Sequence, residues 1–217
     1  MSGEFINTHF YLVSVILILL SFGIFCLQFE HKKPQAKELV TLAVMSAIAV
    51  AARGAFVMVP HFKPMTAIIM ITGMAFGARA GFLTGAMSAF VSNFIFGQGA
   101  WTPWQMFAYG IAGALAGMLR KKQIIHEEKK AKTAAVGFLI VAIIVGPILD
   151  TSTLFLVVNE MTAESTAAIY FSGVPVNIVH GVATFATLFL ICRPMMDKLN
   201  RIKIKYGMMG GMEHEIR

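Results

Sequence analysis

One Arg and one acidic side chain stand inside long apolar stretches of this chain: Arg53 in the run 39–59 and Asp150 in the run 133–158. Counting ~1.5 Å per residue from the nearer ends of those runs puts Arg53 about 9 Å deep and Asp150 about 12 Å deep, so the two can meet. A charge at that depth is costly unless it faces protein or a water-filled cavity, which makes each a candidate for ligand binding or for coupling to protons. An ion pair between two helices satisfies both groups without any ligand, and the sequence leaves the two readings open. Asn177 and His180 stand three apart in the run 167–191 and share a helical face. Such a histidine serves either a ligand or a neighbouring helix.

The densest chemistry lies in residues 93–109, NFIFGQGAWTPWQMFAY. Asn93, Gln98 and Gln105 offer amides beside Trp101 and Trp104, the only two tryptophans of the chain. Rings supply contact area and amides fix orientation, a combination that lines pockets for partly polar small molecules. An interfacial aromatic belt uses the same residue types. Local grammar favours a built site: Thr102, Pro103 and Gln105 have the order of a capping box with proline at the first helical position, so a helix is expected to start abruptly there. Gly97 and Gly99 allow the tight approach before it.

Catalytic and nucleotide signatures are missing. There is no GxxxxGK[ST] loop and no GxGxxG, so the chain has no ATP-binding motif of its own. Ser152 and His180 lack a GxSxG context, and His126, Glu127 and Glu128 do not form HExxH; they read as a solvated stretch of a basic loop. Cys26 and Cys192 both fall in apolar runs, which indicates neither a disulfide framework nor a metal centre. No cofactor is expected.

The elements that position these groups are membrane spans. The 217 residues are 57% hydrophobic and 13% charged, and the mean hydropathy is +0.73. That is a polytopic membrane protein rather than a soluble domain. Apolar runs cover 10–29, 39–59, 64–76, 82–96, 103–119, 133–158 and 167–191, with Arg193 and Pro194 expected to end the last. The first has its positive charges, Lys32 and Lys33, on its far side, as an uncleaved signal-anchor would. Gly146 and Pro147 should kink the sixth run by releasing the Ile143 carbonyl, with Asp150, Thr151, Ser152 and Thr153 following as a polar patch.

Sixteen of the eighteen Lys and Arg residues fall on one side of such a plan. The net charge of +7 is therefore explained by orientation in the bilayer, and nucleic acid is not an expected partner. The positive-inside rule puts the C-terminus in the cytoplasm, the N-terminus outside and residues 93–109 toward the outer face. The tail after Lys205 is polar and glycine-rich and is given no structure.

Small residues recur at helical spacing: Ala43, Ala47 and Ala51; Gly81, Gly85 and Ala89; Gly110, Gly113 and Gly117. Each stripe lets another helix approach closely. The last two fit packing inside the bundle.

The helix LAVMSAIAVAARGAF, the segment HFKPMTAIIMITGMAFGARAGFLTGAMSAFVSNFIFGQGAWTPWQ and the six-span plan with both ends cytoplasmic resemble the substrate-binding S components of energy-coupling factor (ECF) vitamin transporters. Within that family GQGAWTPWQM is most similar to the branch associated with cobalamin; riboflavin, thiamine, folate and a queuosine precursor are the alternative ligands. The resemblance implies an all-α membrane fold: a six-helix substrate-binding domain at 38–194, preceded by an extra transmembrane helix and linker at 1–37 and followed by a cytoplasmic tail at 195–217. It implies no enzymatic activity, a small-molecule vitamin, a membrane scaffold subunit and two ATP-binding subunits as partners. The stripe Ala43, Ala47, Ala51 is then the surface that meets the scaffold, and loops 60–63, 97–104 and 159–168 cover the ligand. A stand-alone secondary transporter, with Arg53 and Asp150 as coupling groups, is the competing class.

Overall fold

The computed structural model describes residues 36–158 and 162–208, together with Leu12, Val15, Ile16, Leu19, Leu20 and Gly23. The extra N-terminal span, with Cys26, Lys32 and Lys33, lies outside the described residues apart from those six positions, and so does the tail beyond Met208. Among the described residues the chain is all-α, with no strand. Helices α1 (Ala36–Ala55), α2 (Met65–Phe76), α3 (Ala78–Phe96) and α4 (Thr102–Lys121) follow one another with short connections. Next come α5 (Lys130–Ile140), a π-helical turn (Val141–Val145), α6 (Gly146–Val157) and α7 (Ala163–Tyr206). The α5 to α6 unit, α1 and α7 are each long and apolar enough to cross a membrane. Connections 56–64 and 97–101, with Val158 and Thr162, gather at one end of the bundle, the site end; the turn at Gly77 and residues 122–129 lie at the other, the basic end.

Helix α2 is the centre. Every residue from Met65 to Ala75 is buried, so its twelve residues, about 18 Å of helix, need not match a bilayer of ~30 Å because protein rather than lipid surrounds them. It packs against α1, α3, α4 and α7. The glycine stripes are internal, as expected. A Cβ at Gly81 would stand 2.3 Å from the Gly113 carbonyl oxygen, and one at Gly85 2.3 Å from that of Tyr109, so α3 and α4 touch backbone to backbone. The alanine stripe does the opposite: Ala43, Ala47 and Ala51 are exposed, while Met45, Ser46 and Ala49 of the same helix face the core.

Several expectations need correction. Proline at 147 gives a widened turn rather than a simple kink: the Gly146 N–H bonds the Val141 carbonyl five residues back, so the ladder shifts register over 141–145 before Pro147, which has no N–H, enters it. The connection expected at 159–168 is shorter, because Thr162 caps α7 and Ser165 returns the bond in a reciprocal box, each N–H···O 3.0 Å long. Residues 159–161 lie outside the described residues.

The largest departure is at the far end of α7. Arg193 and Pro194 do not end that helix; it runs for 44 residues to Tyr206, about 66 Å where ~30 Å would span. Burial of Cys192, Met196 and Leu199 in the main core holds the continuation together, offsetting the ~3 kcal/mol that an internal proline costs. Nor is the tail without structure at its start: Gly207 caps the helix in the left-handed conformation and Met208 is buried. Helix α7 also has to bend. His180 touches Thr66 on α2, and Lys203 Nζ donates to the Ala75 carbonyl of the same helix at 2.8 Å. Those pairs are nine residues apart on α2 and 23 on α7, about 14 Å against about 35 Å, and side-chain reach does not cover the difference. Pro194 is the proline between them. At the same end Glu127 is not simply solvated: Arg120 Nη2 pairs with its carboxylate at 2.9 Å, while Ile125 beside it is fully buried.

Candidate functional site

A cavity of about 350 Å³ opens at the site end. The connection between α1 and α2 supplies His61 and Lys63, and the start of α4 supplies Trp101 and Gln105. Asp150, Ser152 and apolar Leu149 and Leu156 come from α6, and Val176, Asn177 and His180 from α7. A smaller cavity of about 210 Å³, lined by Pro147, Tyr170, Val174 and Ile178, shares Asp150 and Asn177 as its wall.

Five of the residues singled out in the sequence therefore meet at one cavity: Trp101, Gln105, Asp150, Asn177 and His180. The remaining four do not line it. Arg53 Nη1 donates to Ser92 Oγ at 2.6 Å and to Asn93 Oδ1 at 2.9 Å, and its guanidinium lies 4.8 Å from the centre of the Phe96 ring. Arg53 is thus satisfied by neutral oxygens and a π face and forms no ion pair with Asp150. Asn93, fully buried, passes the contact on: its Nδ2 donates to Thr102 Oγ1 and Gln105 Oε1, both at 2.9 Å. Thr102 Oγ1 donates to Gln98 Oε1 at 2.9 Å, and Gln98 Nε2 to the Phe90 carbonyl at 3.0 Å. This chain of bonds ties α1, α3 and the start of α4 together and fixes Gln105 at the cavity wall.

The expected capping box at Thr102 does not form. The α4 N-cap is Trp101, and no side chain caps it. The Thr102 hydroxyl is engaged by Asn93 and Gln98, and Gln105 accepts from Asn93 instead of reaching back. Long-range partners won over the local pattern. The two tryptophans also part company. Trp101 is 38% exposed, lines the cavity and lays its ring over Gly99. Trp104 is buried, its ring 5.8 Å from that of Phe155.

On the opposite wall, Asn177 Nδ2 donates to Asp150 Oδ2 at 2.7 Å. Thr66 Oγ1 and His180 Nε2 are hydrogen-bonded at 2.8 Å, and the imidazole meets the Tyr109 ring edge-on at 6.0 Å. His180 is in part an interhelical partner, yet it still borders the cavity.

Sequence reasoning put His61 and Lys63 only in the covering loop 60–63 and Ser152 only in the polar patch 150–153, and named none of them as lining residues. His61 has a left-handed backbone, φ 61°, unusual for a non-glycine residue and a pointer to a built turn. Ser152 is buried in the wall, and its Oγ has no hydrogen-bond partner among the described residues. A buried hydroxyl without a partner costs ~1–3 kcal/mol, a cost that a polar group entering the cavity would relieve. The set is suited to binding rather than covalent chemistry. Among the described residues no group of three His, Cys, Asp or Glu side chains could hold a metal ion.

Residues 33–195, three quarters of the chain, match the family described as ECF-type riboflavin transporter, S component. No curated protein and no solved structure matches the chain. The family match is of the riboflavin type and does not single out the cobalamin branch that GQGAWTPWQM suggested. A helical membrane bundle with a polar-lined cavity, and the extent of that match, make the conclusion plain: the chain belongs to the S components of ECF-type riboflavin transporters, membrane subunits that bind a small-molecule vitamin, work with an ECF module and are not enzymes.

Proposed function

We propose that this protein captures a flavin, riboflavin or a close relative, in the 350 Å³ cavity and releases it to the cytoplasm when two partner ATPases drive a membrane scaffold subunit. The observation that carries the reading is the cavity itself, with leucines and Trp101 on its apolar surfaces and Gln105, Asp150, Ser152 and Asn177 as donors and acceptors. A flavin ring has one apolar edge and one edge of alternating N–H and C=O groups, which such a lining complements. A corrinoid is much larger than this cavity and would need the loops at the site end to open. The orientation is the one the basic residues favour, with the site end outside and the C-terminus cytoplasmic. The scaffold docks on the exposed stripe Ala43, Ala47, Ala51.

Purified protein titrated with riboflavin should quench flavin fluorescence to saturation at one site. Absence of quenching, with a corrinoid or another vitamin co-purifying instead, would reassign the ligand. Orientation has its own test: a cysteine placed at Glu164 should be labelled from outside intact cells and one at Lys129 should not. The stand-alone transporter reading has Arg53 and Asp150 as its coupling groups, and Arg53 is engaged by Ser92 and Asn93. Riboflavin uptake into liposomes by the isolated chain would nonetheless restore it.

A further inference from the structure

We propose that the last thirteen residues of α7, 194–206, form an in-plane helix that binds anionic phospholipid headgroups at the basic end of the bundle. This inference is independent of which vitamin occupies the cavity.

The position of the segment follows from what its two ends touch. At its start, Cys192 is buried in the core at the close of the apolar run. At its finish, Lys203 reaches the last turn of α2, Lys37 Nζ at the foot of α1 donates to the Tyr206 carbonyl, and Thr41 Oγ1 lies 3.7 Å from Met208 Sδ. Both ends are thus at the level where membrane helices begin or end, and the roughly 20 Å of helix between them lies along the membrane surface rather than projecting from it.

The faces of the segment are sorted by chemistry. Met196 and Leu199 are buried and Lys203 is half-buried, which continues the inward stripe from Cys192 at helical spacing. Lys198, Arg201 and Lys205 are exposed, against one acidic residue, Asp197. Ile204 is 57% exposed and Tyr206 49%. Solvent alone gives no reason to display an isoleucine and a tyrosine beside three exposed cations, of which Lys205 lies 5.4 Å from the centre of the Tyr206 ring. An interface does: the apolar groups enter the acyl boundary and the cations meet headgroup phosphates. Charges with no such position would be satisfied by water. An acidic surface of a partner protein is the competing occupant, and the two exposed apolar side chains among the cations favour lipid.

The test uses the full chain, purified in micelles doped with equal phosphatidylglycerol and phosphatidylcholine, with lipids carried into native mass spectra counted. Wild type should retain phosphatidylglycerol preferentially. K198Q/R201Q/K205Q should lower that preference at least tenfold, and R201Q alone about fivefold, since each cation near an anionic surface contributes about that factor. K121Q/K122Q/K129Q, which removes three cations from the same end outside this segment, should change it less than about twofold. An unchanged melting temperature in each variant confirms folding. Equal loss in both triple variants would mean diffuse charge attraction and would overturn the site. So would retention unchanged in K198Q/R201Q/K205Q, or a wild-type chain with no lipid preference whose segment is protected only in the assembled transporter.

Discussion

Asn177 and Asp150 face one another across the contact of α7 with α6, and each lies over a glycine of the opposite helix. A Cβ at Gly146 would stand 2.3 Å from Asn177 Cγ, and one at Gly173 2.5 Å from both carboxylate oxygens of Asp150. The 2.7 Å hydrogen bond between them therefore has its room cut out of the backbone on both sides. Because the pair walls both cavities, its position sets the shape of the larger one.

Substituting those glycines tests that dependence. We predict that Gly173→Ala and Gly146→Ala each destabilise the protein by about 1–3 kcal/mol through overpacking, and that the folded fraction binds riboflavin at least about tenfold more weakly. Titration by flavin fluorescence, beside a thermal melt, reads both. Normal affinity in both variants would remove the pair from the ligand wall.

Arg53 and Asp150 should behave as independent sites. In a double-mutant cycle with Arg53→Met and Asp150→Asn, the coupling energy in stability is expected within ~0.5 kcal/mol of zero, as for residues without shared partners. Arg53→Met with Asn93→Ala should instead couple by about 1 kcal/mol or more, because the two share hydrogen bonds. A large coupling in the first cycle would reinstate the ion pair.

The two tryptophans should separate binding from stability. Trp101→Ala, at a partly exposed position on the cavity, should weaken riboflavin binding by about 1 kcal/mol or more with little effect on the melt. Trp104→Ala, buried against Phe155, should cost about 3–5 kcal/mol of stability. Equal effects of both on affinity alone would contradict the geometry.

The exposed alanine stripe predicts a variant that binds without transporting. Ala47→Trp adds bulk where close helix approach is required, far from the cavity. Flavin affinity should stay near normal, while co-purification with scaffold and ATPase subunits, and uptake in cells, are lost. Persistent uptake in cells would place the docking surface elsewhere.

What the sequence determined by itself was where the helices lie. Hydropathy, the scarcity of charge within the runs and the clustering of basic residues are local or one-dimensional properties, and they located the helices from Ala36 to Val157 within a few residues. Helical spacing also sorted the small residues into stripes, because a period near four puts them on one face whatever the neighbours are. Which neighbour each stripe meets was not local information. Gly81 and Gly113 meet because α3 and α4 are neighbours, and Ala43, Ala47 and Ala51 stay exposed because no helix among the described residues covers them. Tertiary structure alone decided the partners of polar groups at similar depth. Arg53 found Ser92 and Asn93 rather than Asp150, and Thr102 served Asn93 rather than its own helix. It also carried α7 through Pro194, since burial of Met196 and Leu199 outweighs a local stop signal. The covering loop held His61 and the polar patch held Ser152, but no pattern marked them as lining residues, because the cavity comes into being only when four separate parts of the chain meet.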